Sequence, residues 1–484
     1  MRMWMTICSQ LSICSAAWIN RAFNSRLFHL FSLPRTVLIL CAFTFTPVAL
    51  SQDDFFNTID IDIEDGDDDD GFVDFFGWVT QKVGFGLEAP GPQFSRSERE
   101  INKIETTGYG QLDFNVDDRT AIRIAARMYH EEIYRWMDDN PYTEDEINTF
   151  RNRYEIRDLY LEHETENGIY LKLGNQLLVW GQSEYLRVTD LINIENQFNF
   201  AQQDLEDLRL QIPAALLSFS AGDWVFDTVA TFKAGSNLIG PAGDEFDQFI
   251  SLRNAGLWIL EEDPDKRSEF FFRASTQLAQ GDLQIIAGEF NDNAPSVKRI
   301  EALRSTNPRV TYHLNRMRAI GFSANWVEGS WLFFGEAALH KDKAVRPSVD
   351  SFLRQVNGWE QKDQVLAVIG AEYNGFRNLT VTFELDSIHT QSHSPFMLMD
   401  EDQISGGIRV YWTPMNERWQ ILGVWNELAS DTGRVVRLQA DYTWSDNLEI
   451  GALYVDYSTN MNSPFAAFRF NDVFQLQLRY SFSL

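Results

Sequence analysis

From residue 72 onward, apolar and polar side chains alternate in runs of about ten residues, each stopped by Gly, Asn, Asp or Pro. The runs at 107–116 (TGYGQLDFNV), 120–129 (TAIRIAARMY), 168–180, 378–387 and 447–457 read as strands. A period of two places residues i and i+2 on one face. In the final run Leu476, Leu478, Tyr480, Phe482 and Leu484 therefore share one side, and Gln475, Gln477, Arg479, Ser481 and Ser483 the other. Alternation of this kind suits a soluble sandwich as well as a membrane barrel with a greasy outside and a polar inside.

The links between runs help to separate the two. Short ones at 117–119, 165–168, 280–282, 328–330, 375–378 and 445–447 interleave with long polar ones near 135–152, 181–213, 291–316, 341–362, 388–403 and 459–471. Two unlike rims, short turns on the periplasmic side and long loops outside, are the mark of an antiparallel transmembrane β-barrel. The pattern offers about 19 candidate strands, whereas a single-chain bacterial barrel with both ends in the periplasm needs an even number. The rhythm is disturbed between 214 and 267, so the expectation is an all-β barrel of about 16–18 strands, wide enough to leave a lumen.

The first 51 residues behave differently. They hold Arg2, Arg21, Arg26 and Arg35 and no acidic residue, then the apolar run TVLILCAFTFTPVAL after Arg35, with Ala49 and Ser51 at signal-peptidase positions. Residues 1–51 are read as a cleaved export signal, and the chain from Gln52 as the mature protein. Cys8, Cys14 and Cys41 all lie in this leader, so no disulfide or thiolate metal site is expected beyond it. Residues 52–71 (QDDFFNTIDIDIEDGDDDDG) are too densely acidic to pack and read as a disordered leader, with a calcium loop around Asp65, Asp67 and Asp69 as the sharper alternative. The barrel is assigned to 72–484.

With 41 basic against 70 acidic residues, nucleic acid is an unsuitable partner. The partners expected are outer-membrane lipid and lipopolysaccharide, the barrel-assembly machinery, an unknown solute and, as an open question, further copies of the chain. No cofactor or metal is expected. The final strand also resembles the terminal signal by which outer-membrane barrels are recognised for assembly, although Leu484 stands where an aromatic residue is commonest.

The densest candidate chemistry lies in GNQLLVWGQSEYLRVTDLINIENQFNFAQQDLEDLRLQIP, from Gly174 to Pro213. Gly181 permits a sharp departure from the strand, and the stretch that follows carries too many apolar residues to stand free in water. Folded into the lumen as a constriction over 181–213, it would present Arg187, Asp190, Glu195 and Arg209 to the path. The plainer alternative is a loop that braces its neighbours at the rim. Trp180, Gly181, Asp190, Asn193, Asp204, Arg209 and Pro213 in this segment resemble a pattern in porin-like outer-membrane proteins of unknown function from proteobacteria, and more distantly the alginate-export porins. Ile194 stands where those families have Pro. The resemblance implies a porin-like role without naming the solute.

Arg123, Arg127, Arg157, Arg253, Arg273, Arg318, Arg409 and Arg437 fall on barrel segments, and their simplest use is pairing with luminal carboxylates such as Asp113, Glu155, Glu289 and Asp441. His389, Ser392, His393 and Ser394 with Asp400, Glu401 and Asp402 are the nearest approach to a hydrolase or metal constellation, without the strained nucleophile turn that catalysis requires. The expected function is therefore passive diffusion or facilitated uptake of small organic solutes across the outer membrane, not catalysis. The competing class is a structural or adhesive outer-membrane protein, whose contacts would be loop aromatics such as Trp136, Tyr142, Trp359 and Phe396. Polymer export or a barrel enzyme are lesser alternatives.

Overall fold

A computed structural model describes residues 72–88, 101–136, 143–183, 185–262, 267–301, 307–346, 359–429, 432–460 and 466–484. The export signal, the acidic leader and Tyr142 lie outside the described residues.

The chain opens with β1 (Val73–Gly86), β2 (Ile101–Asp117), β3 (Thr120–Glu131), β4 (Asn152–Glu164) and β5 (Tyr170–Gln176). After the short β6 (Ile194–Gln197) and β7 (Arg209–Leu210) come β8 (Ile212–Ala221) and β9 (Trp224–Thr231). Then follow β10 (Leu238–Ile239), β11 (Trp258–Glu261), β12 (Glu269–Leu278), β13 (Gly281–Asn291), β14 (Ser296–Glu301) and β15 (Arg309–His313). The last third is an unbroken series: β16 (Arg316–Glu328), β17 (Trp331–Val345), β18 (Glu360–Phe376), β19 (Leu379–Thr390) and β20 (Asp402–Trp412). It ends with β21 (Trp419–Glu427), β22 (Gly433–Ser445), β23 (Leu448–Thr459) and β24 (Val473–Ser483).

Eighteen of these strands form one antiparallel sheet, in which each strand pairs with the next barrel strand in sequence and β24 returns to pair with β1. Closure leaves no free edge, so every strand's backbone groups are met by neighbours, as an apolar bilayer demands. No helix among the described residues is long and apolar enough to cross a membrane. The remaining six strands form two small three-stranded sheets, β10–β6–β7 and β11–β15–β14.

The alternation reads out as expected. Leu476, Leu478 and Tyr480 are exposed on the outside of β24, while Gln475 and Arg479 face in, against the adjoining β1. The strand count settles at the upper end of the expected range. Between 214 and 267 the disturbance has a physical source: β8 and β9 are short barrel strands joined by a tight turn at Gly222, which adopts φ 63°, and 232–268 is a long connection carrying β10, β11 and a one-turn helix, α1 (Ile250–Asn254). All six short links fall at hairpin turns, on the rim that also carries Phe72 and Leu484.

Two of the arginines expected to pair with luminal carboxylates do not: one lies off the barrel strands and one faces outward. Arg253 is on α1, where it pairs with Asp247 at 2.9 Å. Arg318 is exposed on the outer face of β16, sharing it with Ile320 and Phe322, because Met317 takes the inward position beside it. It lies near the loop end of the strand, where a charge is tolerated more readily than at mid-bilayer.

Candidate functional site

The link from β5 to β8, residues 177–211, leaves the wall and crosses the barrel interior. Its contacts identify the path: one stretch bonds to β17 and β19, on the far side from β5 and β8, and another to β1, β3, β4, β22 and β24.

The departure is built by three of the predicted residues. Trp180 is 3 % exposed, packed among Leu178, Leu191, Phe271, Phe290 and Met317, with the Arg273 guanidinium 5.2 Å from its ring centre. At Gly181 an added Cβ would stand 3.0 Å from both the backbone nitrogen and Cβ of Asp190, so the two passes of the chain touch there. Asn193, fully buried, mimics a strand partner: its side-chain N–H donates to the Leu178 carbonyl at 2.7 Å and its oxygen accepts from the Leu178 N–H at 3.1 Å.

Arg187, Asp190, Glu195 and Arg209 meet in one network. Arg209 Nε donates to Asp190 at 2.6 Å, Arg187 lies 3.2 Å from the same carboxylate, and Arg187 also reaches Glu195 at 3.5 Å. Burial works against ionisation of Asp190, but Arg187 and Arg209 outweigh it and hold the carboxyl below its ordinary value. Asp190 and Arg209 are buried, while Arg187 and Glu195 keep part of their surface open. Asp204 belongs to a different anchor.

On the far wall, Glu336 of β17 accepts from the backbone N–H groups of Gln182, Ser183 and Thr189 and from the Thr189 hydroxyl at 2.6 Å. Glu384 of β19 accepts from the Ser183 hydroxyl and the Tyr185 N–H. Val188 adds an apolar seat against Ala338, Leu366 and Val368. On the near wall, Asp204 lies 3.1 Å from Arg479 and 3.5 Å from Lys82, Asp207 pairs with Arg127 and Arg157, and Arg437 donates to the Ala201 and Gln203 carbonyls. Burial disfavours the Asp204 charge, yet Lys82, Arg479, Arg437 and Arg127 together hold its carboxyl well below the usual range. Asp204, Glu206 and Asp207 lie close enough to share a cation, but these basic side chains already occupy that role. Phe200 completes the seat against Tyr457 and Phe468.

Pairing with luminal carboxylates accounts for Arg123 with Asp113 at 2.7 Å, Arg157 with Glu155 at 3.6 Å, Arg273 with Asp227 and Arg409 with Glu372. Glu289 pairs with Arg316, and Asp441 accepts from Gln439 and Gln477. The residues that sequence reasoning missed are the receivers on the strands, Glu336 and Glu384. Their signal was present: each is a carboxylate on the inward parity of a strand whose flanking positions are apolar.

The histidine loop assembles no triad among the described residues. His389 pairs with Asp402 at 2.7 Å, but His393 bonds the Met399 carbonyl and the Ser394 hydroxyl accepts from the Phe396 N–H. Of the loop aromatics, Trp136 and Phe396 are exposed and Trp359 packs against the core of the β11–β15–β14 sheet.

The sequence profile of a family described as "Protein of unknown function (DUF1302)" matches residues 102–407. No curated protein matches the chain. Among solved structures, Acinetobacter baumannii OccAB3 is similar at 10% identity and a TM-score of 0.50, over 85% of this chain and 99% of that one. OccAB2 of the same organism matches at 9% identity and a TM-score of 0.49, over 85% and 98%, and Pseudomonas aeruginosa OccK9 (OpdG) at 10% and 0.48, over 86% and 100%. The likeness to OccAB3 concerns the fold alone: a closed antiparallel β-barrel of 18 strands.

Proposed function

The chain belongs to the DUF1302 family, and we propose that within that family of unknown function it is an outer-membrane channel for passive passage of small organic solutes, narrowed by residues 181–213. One observation carries the reading: the segment from Trp180 to Arg209 is tied to opposite walls of the barrel, at Glu336 and Glu384 on one side and at Lys82, Arg127 and Arg479 on the other. A strap across a wide lumen turns it into a smaller aperture, and the side chains on its open edges set what passes. Arg187 and Glu195, partly open and adjacent, are the edge residues; Trp180, Gly181, Asp190, Asn193 and Arg209 hold the strap in shape. In this reading the turn rim is periplasmic, the loop rim faces outward, and the protein performs no catalysis.

Single-channel recording of the refolded chain from Gln52 to Leu484 in planar bilayers tests it. Discrete open steps are expected, and removal of 182–205 should raise their conductance severalfold. Unchanged conductance after that deletion would remove the constriction, and a folded barrel that never conducts would remove the channel. In that last case the exposed Trp136 and Phe396 favour the second reading, a barrel whose outer loops make the functional contacts.

A further inference from the structure

The balance of fixed charge inside the barrel bears on which solutes can enter. Inward arginines are matched to carboxylates: Arg123 to Asp113 at 2.7 Å, Arg273 to Asp227 at 2.6 Å and Arg409 to Glu372 at 3.0 Å. Such pairs present little net field to a passing ion. Arg437, met by carbonyls instead of a carboxylate, is 4 % exposed and covered by the Ala201 and Gln203 backbone of the strap.

The carboxylates are not matched in return. Glu336 and Asp386 face the same neighbour from either side, both opposite Val368 of β18, and neither has an ion-pair partner among the described residues: Glu336 is met by uncharged N–H and O–H donors, Asp386 by the Ser405 hydroxyl at 3.5 Å and by the carboxyl of Glu384 two residues away. Three strands further round the wall, Asp441 accepts amide N–H groups from Gln439 and Gln477, and Glu449, opposite Arg479 in the ladder, makes no ion pair within salt-bridge distance among the described residues. Both groups stand on inward parity, in register with the wall that holds the strap. Once ionised, these side chains leave negative charge along the arc of wall from β17 to β23, where Arg409 is already paired with Glu372 and Arg437 is covered, while Lys82, Arg127 and Arg479 on the adjoining strands are taken up by the strap's own Asp204, Glu206 and Asp207.

We propose that this lumen selects for cations, so that its solutes are small molecules carrying ammonium or guanidinium groups in preference to organic anions. Fixed carboxylates around a pore concentrate counter-ions of positive sign and repel anions, most strongly where the wall excludes bulk water. The inference rests on the channel reading above and gives its solute class.

The test is the reversal potential of the purified chain from Gln52 to Leu484 in a planar bilayer under a KCl gradient at pH 8. A preference for K+ over Cl− of roughly threefold or more is expected. The paired change Asp441→Asn with Glu449→Gln should bring the ratio down toward one, and Asp386→Asn should lower it separately. A wild-type ratio near one, or a preference for Cl−, overturns the inference while leaving the channel intact. Complete absence of conductance instead overturns the channel reading and this inference with it. Because the wild-type measurement decides the sign, the outcome does not depend on any variant folding.

Discussion

Arg209 Nε donates to Asp190 at 2.6 Å across the base of the luminal strap, and Asp190 in turn stands where Gly181 must remain without a side chain. The pair closes the strap on itself before it reaches either wall. Replacing Asp190 by Asn would remove the carboxylate that Arg187 and the buried Arg209 share, at a cost of about 3–5 kcal/mol to the local fold. Hydrogen exchange over 180–209 should rise strongly while the barrel strands stay protected. Unaltered exchange there would show that the pair is not the closing element.

Acid should act on the same pair late. Asp190 is held below its ordinary value in the folded protein, so its contribution is complete above the unfolded value of about 3.9 and is lost only as pH falls through the lower folded value. Conductance noise arising from strap motion should therefore stay constant from pH 7 to about 4.5 and increase only below that. Noise that grows near pH 6 would point to some other group.

Gly181→Val puts branched methyl groups where even a single Cβ lies 3.0 Å from Asp190. The expected cost is about 1–3 kcal/mol, taken from the strap. Its readout is accelerated proteolysis within 181–209 at unchanged barrel melting temperature.

Leu478→Arg and Gln477→Arg, one position apart on β24, should differ sharply. Leu478 is exposed on the lipid side, where an arginine costs about 2–4 kcal/mol at mid-bilayer, whereas Gln477 faces Asp441 and the lumen. Unfolding titrations in lipid vesicles should show the loss for the first change and little for the second. Equal losses would reverse the assigned faces.

The sequence makes the wall legible because alternation is local: parity along β24, and turns such as 329–330, need only neighbouring residues to be read. It also marks the start of the strap, since Trp180-Gly181 followed by buried apolar residues cannot continue a strand into water. Where the strap goes is not local information. Ser183 meets Glu336 and Glu384 across separations of 153 and 201 positions, and nothing near either end of those contacts signals the other. Arg318 was misread for a related reason: alternation fixes two faces but not which of them is inside, and at the end of a strand the apolar neighbours that decide it run out. β11 and β15 pair in parallel, unlike any two wall strands, and with β14 they form a separate three-stranded sheet whose pairing no local pattern announces.

The seam between β24 and β1 joins residues almost the whole chain apart; Arg479 donates to Thr80 across 399 positions. Every other pair of wall strands is sequential, so the sheet can grow by adding hairpins at modest entropic cost, and only this last pairing requires distant ends to meet. Until it does, both edge strands carry unpaired backbone groups that invite pairing with other chains. The rate at which this barrel matures is thus set by one zipper, and a chaperone or membrane machine that shields those two edges would serve it better than one that binds its apolar faces.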